Sequence, residues 1–289
     1  VTTLQAALTG VLFGGLYALM AAGVSISWGV LRIINLTHFG LILVGAYLTF
    51  ELATSWGMDP LVSLLVTVPL LFGGGALLQW GFDRLAITEL NSLLVSFGLL
   101  VVMVQVVSNL WTADFQRMTA EVNPYATRSL AVGRLVFPVT TLLSFVLAVA
   151  LIVAAHVALR RTFTGRAMRA FAQDRTVAAA FGIDHRRVGI LLAGVAGGSA
   201  AVAGMLVALS SALTPATAFE WFGTVFAVVI LGGIGDVAGT LVAGLLVGAV
   251  SGVVSVVASP AAEPFVQFSL VILVLLLRPQ GIFARAGAH

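Results

Sequence analysis

Long runs without a formal charge alternate with short charged stretches along the whole chain. The first lies within residues 1–31 and ends at Arg32. The second, 33–50, holds His38 and no Asp, Glu, Lys or Arg. Residues 61–82 and 90–113 follow, then a polar segment of mixed charge at 114–134 that contains Pro124. The fifth run is 138–159. Residues 188–219 hold a sixth and its exit, and 221–235 and 237–262 give two more. The last, 265–277, is short and would be tilted, partial or extended backwards past Pro264. About 20 apolar residues span a bilayer as a helix. The pattern predicts an all-α, polytopic transmembrane helical bundle of about eight to nine spans, some broken or re-entrant. It forms one domain over residues 1–289.

Between the fifth and sixth runs lies 160–187, RRTFTGRAMRAFAQDRTVAAAFGIDHRR, with seven of the 14 basic residues. It reads as a helix, with Thr164 able to cap its start and Gly182 its end. At about 100° per residue, Ala167, Ala170, Phe171, Asp174, Val177, Ala178 and Phe181 share a face; Arg166, Arg169, Gln173 and Thr176 take the opposite one. A stripe of small residues around one carboxylate suits a groove on a partner protein. A helix resting on anionic lipid is the alternative. With this loop on the cytoplasmic side, alternation puts eleven arginines inside and Arg117, Arg128 and Arg134 outside, as the positive-inside rule requires. The N-terminus then lies outside, the C-terminus inside, and an odd number of crossings, about nine, results. The opening run is too long for a signal-peptide core and reads as a retained first span.

Only 9% of the residues are charged, against about 25% in a soluble domain. The net charge of +3 gathers at span ends, so it does not indicate nucleic-acid binding. Without Cys there is no thiolate metal site, and the four histidines are too scattered for a metal pair. Without Lys, the chain can form neither a Walker A loop nor a Schiff base. No catalytic residue, metal or cofactor is therefore expected in this chain.

Polar residues in or beside apolar runs are the candidates for a solute path: Asn35, Thr37, His38, Ser96, Asn109 and Thr214. The segment 35–38 could equally be a local break at the cytoplasmic boundary. Pro69 with Gly73–Gly75, and the 232–235 glycine cluster, are expected to break or kink helices. The spacings of Gly239, Gly244, Gly248 and Gly252 suit close helix packing. Gly233-Ile234-Gly235-Asp236 matches the Gly-x-Gly-Asp of intramembrane aspartyl proteases. That chemistry needs a second carboxylate nearby, so a turn between spans is the better account.

Several segments together carry a family resemblance: GVLFGGLYALMAAGVSISWGVLRIINLTH near the start, TGRAMRAFAQDRTVAAAFGI in the loop, VILGGIGDVAGTLVAGLLVG, and the terminal LRPQGIF. Over nearly its whole length the chain resembles the LivH-type integral-membrane permeases of branched-chain amino-acid ABC importers. One departure is Phe39-Gly40, where the family usually has Gly and then an acidic residue. The resemblance implies a permease in the bacterial inner membrane for hydrophobic amino acids, with urea, short amides or small organic acids as alternatives. It implies a second permease of LivM type, two ATPase subunits that bind ATP and Mg, and an extracytoplasmic solute-binding protein. It also makes Gly165–Gly182 similar to the segment that docks into the ATPases. Asp174 would then meet a basic or amide group there, and Arg166 and Arg169 acidic groups or lipid. A secondary transporter or channel, independent of ATP, is the rival; it would normally need intramembrane charges, which are almost absent here.

Overall fold

A computed structural model describes residues 2–173, 178 and 180–278. Its elements are α1 (Thr2–Leu31), α2 (Thr37–Thr54), α3 (Pro60–Arg84), α4 (Glu89–Trp111), β1 (Ser129–Val132), β2 (Leu135–Pro138), α5 (Val139–Arg161), α6 (Phe163–Gln173), α7 (His185–Ser210), α8 (Thr217–Gly232), α9 (Val237–Val257) and α10 (Glu263–Leu277). Eight helices among the described residues are long and apolar enough to cross a membrane. The 16-residue α8 is apolar but shorter. The arginine-rich end carries Arg84, Arg160, Arg161, Arg186 and Arg187. The opposite end carries the 112–138 segment.

Polar caps set several helix starts, because the first N–H groups of a helix have no partner within it. The Asp59 carboxylate accepts from Leu61 N, that of Asp184 from Arg186 N and Arg187 N, and that of Asp236 from Ala238 N and Gly239 N. Helix α3 runs unbroken through Pro69 and Gly73–Gly75, contrary to the break expected there. Gly75 instead brings α3 close to α7: a Cβ on it would lie 2.3 Å from the Ala193 carbonyl oxygen. The second glycine cluster does end a helix, with Gly233 and Gly235 at φ of 88° and 85°.

Helices α1, α2 and α7 form the centre, while α3, α4, α5 and α10 are mostly exposed along their apolar faces. Backbone approach replaces side-chain interdigitation between α1 and α9. Cβ atoms on Gly10, Gly14 and Gly252 would fall 2.2, 2.4 and 2.2 Å from the carbonyl oxygens of Gly248, Gly244 and Ala6. Small residues on both helices thus permit the close van der Waals packing that helps hold helices together in lipid.

The all-α expectation holds for the spans, with one addition at the end opposite the arginines. There β1 and β2 pair antiparallel, and the Gln5 side chain bonds both main-chain groups of Val136. Gln116 and Leu213 exchange backbone bonds of 2.9 and 2.7 Å. Tyr125 donates its hydroxyl to the Asp59 carboxylate at 3.0 Å; burial, then that carboxylate, raise its pKa. The 112–138 segment is therefore an ordered cap.

Candidate functional site

The chain breaks between α1 and α2. Arg32 sits at φ 53° and turns the backbone back toward the bundle. Helix α2 then starts beside Gly23, about 12 Å short of the end of α1 at 1.5 Å rise per residue. The polar cluster thus lies inside the bundle, level with Gly23 of α1. Ile33 N bonds Ser27 O at 3.3 Å, and Leu36 N donates to Ser96 Oγ at 3.0 Å. Ser96 Oγ donates to Ile34 O at 3.0 Å, and Thr37 Oγ1 to Ser96 O at 3.3 Å. Ser96 of α4 satisfies the backbone that the break sets free.

Of the six path candidates, Asn35, Thr37, His38 and Ser96 come together at this break. The other two lie apart from it. Asn109 is exposed near the end of α4, where Oδ1 accepts from Gln105 Nε2 at 3.0 Å. Thr214 is buried in the α7–α8 connection, its carbonyl accepting from Thr217 Oγ1 at 2.6 Å. His38 is 1% exposed and packs on Gly23, with the Met20 backbone as hydrogen-bond partner of its ring. Ser27 Oγ, Asn35 Oδ1 and His38 Nε2 are buried and have no hydrogen-bond partner among the described residues. Such an atom costs about 1–3 kcal/mol, so three around one break mark a place kept polar for a reason other than stability.

Toward the end opposite the arginines, a cavity of about 410 Å³ opens between α1, α7 and α8. Phe13, Leu16 and Val207 give it apolar walls, Thr217, Glu220 and Thr224 polar ones, and Met20 and Val225 line it at the level nearest the break. An aromatic layer closes the bundle next to it: Phe39 lies 4.5 Å from Phe222 and 6.2 Å from Phe226, and Trp28 6.2 Å from Phe226. Glu220 and Thr224 escaped the sequence reading because a carboxylate beside an apolar run looks like a span boundary. The signal was its place one turn before Thr224. Nearby, Gln267 of α10 joins Thr224 and Ser251 by bonds of 2.9 and 2.7 Å.

At the arginine-rich end, α6 follows α5 after the single residue Thr162. The Thr162 hydroxyl accepts from Gly165 N at 3.0 Å, so it caps the helix in place of Thr164. Within the set expected at an ATPase contact, Gly165, Phe171 and Ala178 are buried against the chain itself, and Ala170 is half-buried. Arg166, Arg169, Phe181 and Gly182 are exposed. Asp174 and Val177 lie outside the described residues. Periodicity sorts a helix into faces, but it does not say which face the chain's own body takes. Here Met168, a residue outside the expected set, is buried beside Phe171.

Asp236 caps α9, and among the described residues the cavity beside it holds no second carboxylate. The protease reading has no catalytic pair.

A broken first hairpin, a one-sided cavity and a ring of apolar-faced helices define a multi-pass membrane permease. The family model for the branched-chain amino acid transport system permease component matches residues 6–277, and the chain belongs to that family. It is 27% identical to the high-affinity branched-chain amino acid transport permease protein LivH of Salmonella typhimurium, over 98% of this chain and 96% of the relative. LivH of Escherichia coli is 28% identical and BraD of Pseudomonas aeruginosa 26%, each with the same coverage. These relatives are permease proteins of high-affinity branched-chain amino acid transport systems. No solved structure matches the chain at a significant level.

Proposed function

We propose that the chain is one membrane-spanning half of an ATP-driven importer for hydrophobic amino acids. The arginine-rich end faces the cytoplasm, in keeping with the positive-inside rule. The 410 Å³ cavity then opens outward. That cavity, ending above a closed polar break, is the observation that carries the reading. Its apolar walls suit an aliphatic side chain, and Glu220 with Thr217 and Thr224 suits an ammonium group. The carboxylate disfavours small organic acids.

A chain without Lys binds no ATP through a Walker A loop, so the work comes from elsewhere. Two ATPase subunits, with their ATP and Mg, dock on the exposed side of 165–182. A second permease of LivM type completes the path, and an extracytoplasmic binding protein delivers the solute to the outer cap. Closure of the ATPases pushes α6, and the helices rock about the break.

Co-expression with candidate partners tests this. The expected result is copurification with two ATPases and a second permease. In proteoliposomes, leucine uptake should require both internal ATP and the binding protein. Uptake that runs on an ion gradient without ATP would discard the reading in favour of a secondary transporter.

A further inference from the structure

A second cavity, of about 340 Å³, lies at the arginine-rich end where α5, α6 and the α8–α9 turn meet. It is separate from the solute cavity and shares no residue with it. Three basic side chains line it: His156 and Arg160 one turn apart on α5, and Arg169 on α6. The Arg169 guanidinium donates to the Arg160 carbonyl at 3.2 Å, which holds it across the end of α5. One acidic group is present, Asp236. Its Oδ1 already accepts two N–H bonds from the start of α9, so part of its charge is spent on that helix. Among the described residues Arg187 pairs with Asp184, and Arg160 and Arg169 have no carboxylate partner.

An apolar track leads to this basic cavity. Val146, Val153, Val157 and Arg160 follow one another on α5 at steps of seven, four and three residues, which is one helical face. The three valines are 59%, 47% and 44% exposed. A strip facing hydrocarbon that ends in cationic groups at the interface has the two-part chemistry of a phospholipid.

We propose that this cavity binds the phosphate of an anionic phospholipid, whose acyl chain lies along Val157, Val153 and Val146. The lipid ties the α5–α6 bend to the membrane surface. Arg169 then serves lipid, while Arg166, outside the cavity, remains available to the ATPase.

Native mass spectrometry of the delipidated full-length chain in detergent tests the proposal, with phosphatidylglycerol and phosphatidylcholine as probes. One saturable phosphatidylglycerol should bind about tenfold tighter than phosphatidylcholine, and R160Q/R169Q should lose about that factor. R160K/R169K should keep most of it, and R186Q, the same charge loss on the same side, should bind as the parent does. Inorganic phosphate at millimolar concentration should not displace the lipid; full displacement would make this a free-anion site and overturn the lipid assignment. Equal affinity for both lipids, or binding unchanged in R160Q/R169Q, would also overturn it. So would loss of ATPase recruitment in R169Q with lipid binding intact, since Arg169 would then belong to the partner. Should R160Q/R169Q fail to fold, the two-lipid and phosphate competitions on the parent chain decide alone.

Discussion

The imidazole of His38 occupies space that exists because residue 23 has no side chain. A Cβ on Gly23 would stand 2.2 Å from Cε1 and 2.5 Å from Nε2 of the ring, far inside contact distance. The ring is itself 1% exposed, so it has little free space to move into. Gly23→Ala is therefore expected to displace His38 and cost about 1–3 kcal/mol of local packing. Uptake should fall at least about tenfold while the amount of protein in the membrane stays near normal. Vesicle transport normalised to immunoblot signal checks this; parental uptake would show that the His38 ring position is immaterial to the path. At this scale the sequence was informative where a polar residue interrupts an apolar run. Asn35, Thr37, His38 and Ser96 all announce themselves that way, though their depth does not. Depth depends on Arg32 reversing the chain at φ 53°, and no local pattern distinguishes that reversal from an ordinary loop. Ser27 and Gly23 stayed hidden for a different reason, since both look like routine small residues of a packed helix.

Helix α6 shows what a single element can and cannot reveal. Its amphipathic character is plain, with Gly165, Met168 and Phe171 at steps of three facing inward and Arg166 and Gln173 outward. Its attachment is not legible, because it depends on a backbone contact. Gly165 lies so close to α5 that a Cβ would fall 2.4 Å from the carbonyl oxygens of both Ala158 and Leu159. Those are backbone atoms and cannot swing away. Gly165→Ala should force α6 off the end of α5, and with it the surface offered to the ATPases. The expected outcome is ATPase recovery reduced by about tenfold or more in a pull-down from membranes, with α1–α5 still inserted. Thr164→Ala should leave recovery unchanged, because the capping hydroxyl belongs to Thr162. Equal recovery from Gly165→Ala would mean that the bend does not set the docking geometry.

The whole molecule is asymmetric along the membrane normal, and that asymmetry is its functional content. Glycine contacts bind α1 to α9 backbone to backbone, a junction with little freedom to slide. The cavity by Glu220 lies beside the aromatic layer of Phe39, Phe222 and Phe226, and the break with its unpartnered Asn35 Oδ1 lies nearer the arginine-rich side. The positions of the long apolar helices followed from the uncharged runs, because bilayer thickness acts on composition directly. The cavity did not, since it arises from how α1, α7 and α8 splay. Alternating access predicts that the two polar regions exchange their exposure. The chain contains no cysteine, so single substitutions report without background. Thr224→Cys should react quickly with a membrane-impermeant thiol reagent added outside, and Asn35→Cys slowly, in the resting assembly. Trapping the ATPases closed should slow labelling at 224 and speed labelling at 35 from the cytoplasmic side, by about tenfold each if the populations invert from near 10:1. Rates that stay fixed at both positions, in an assembly that still hydrolyses ATP, would mean that the break is a static structural device and that solute takes another route.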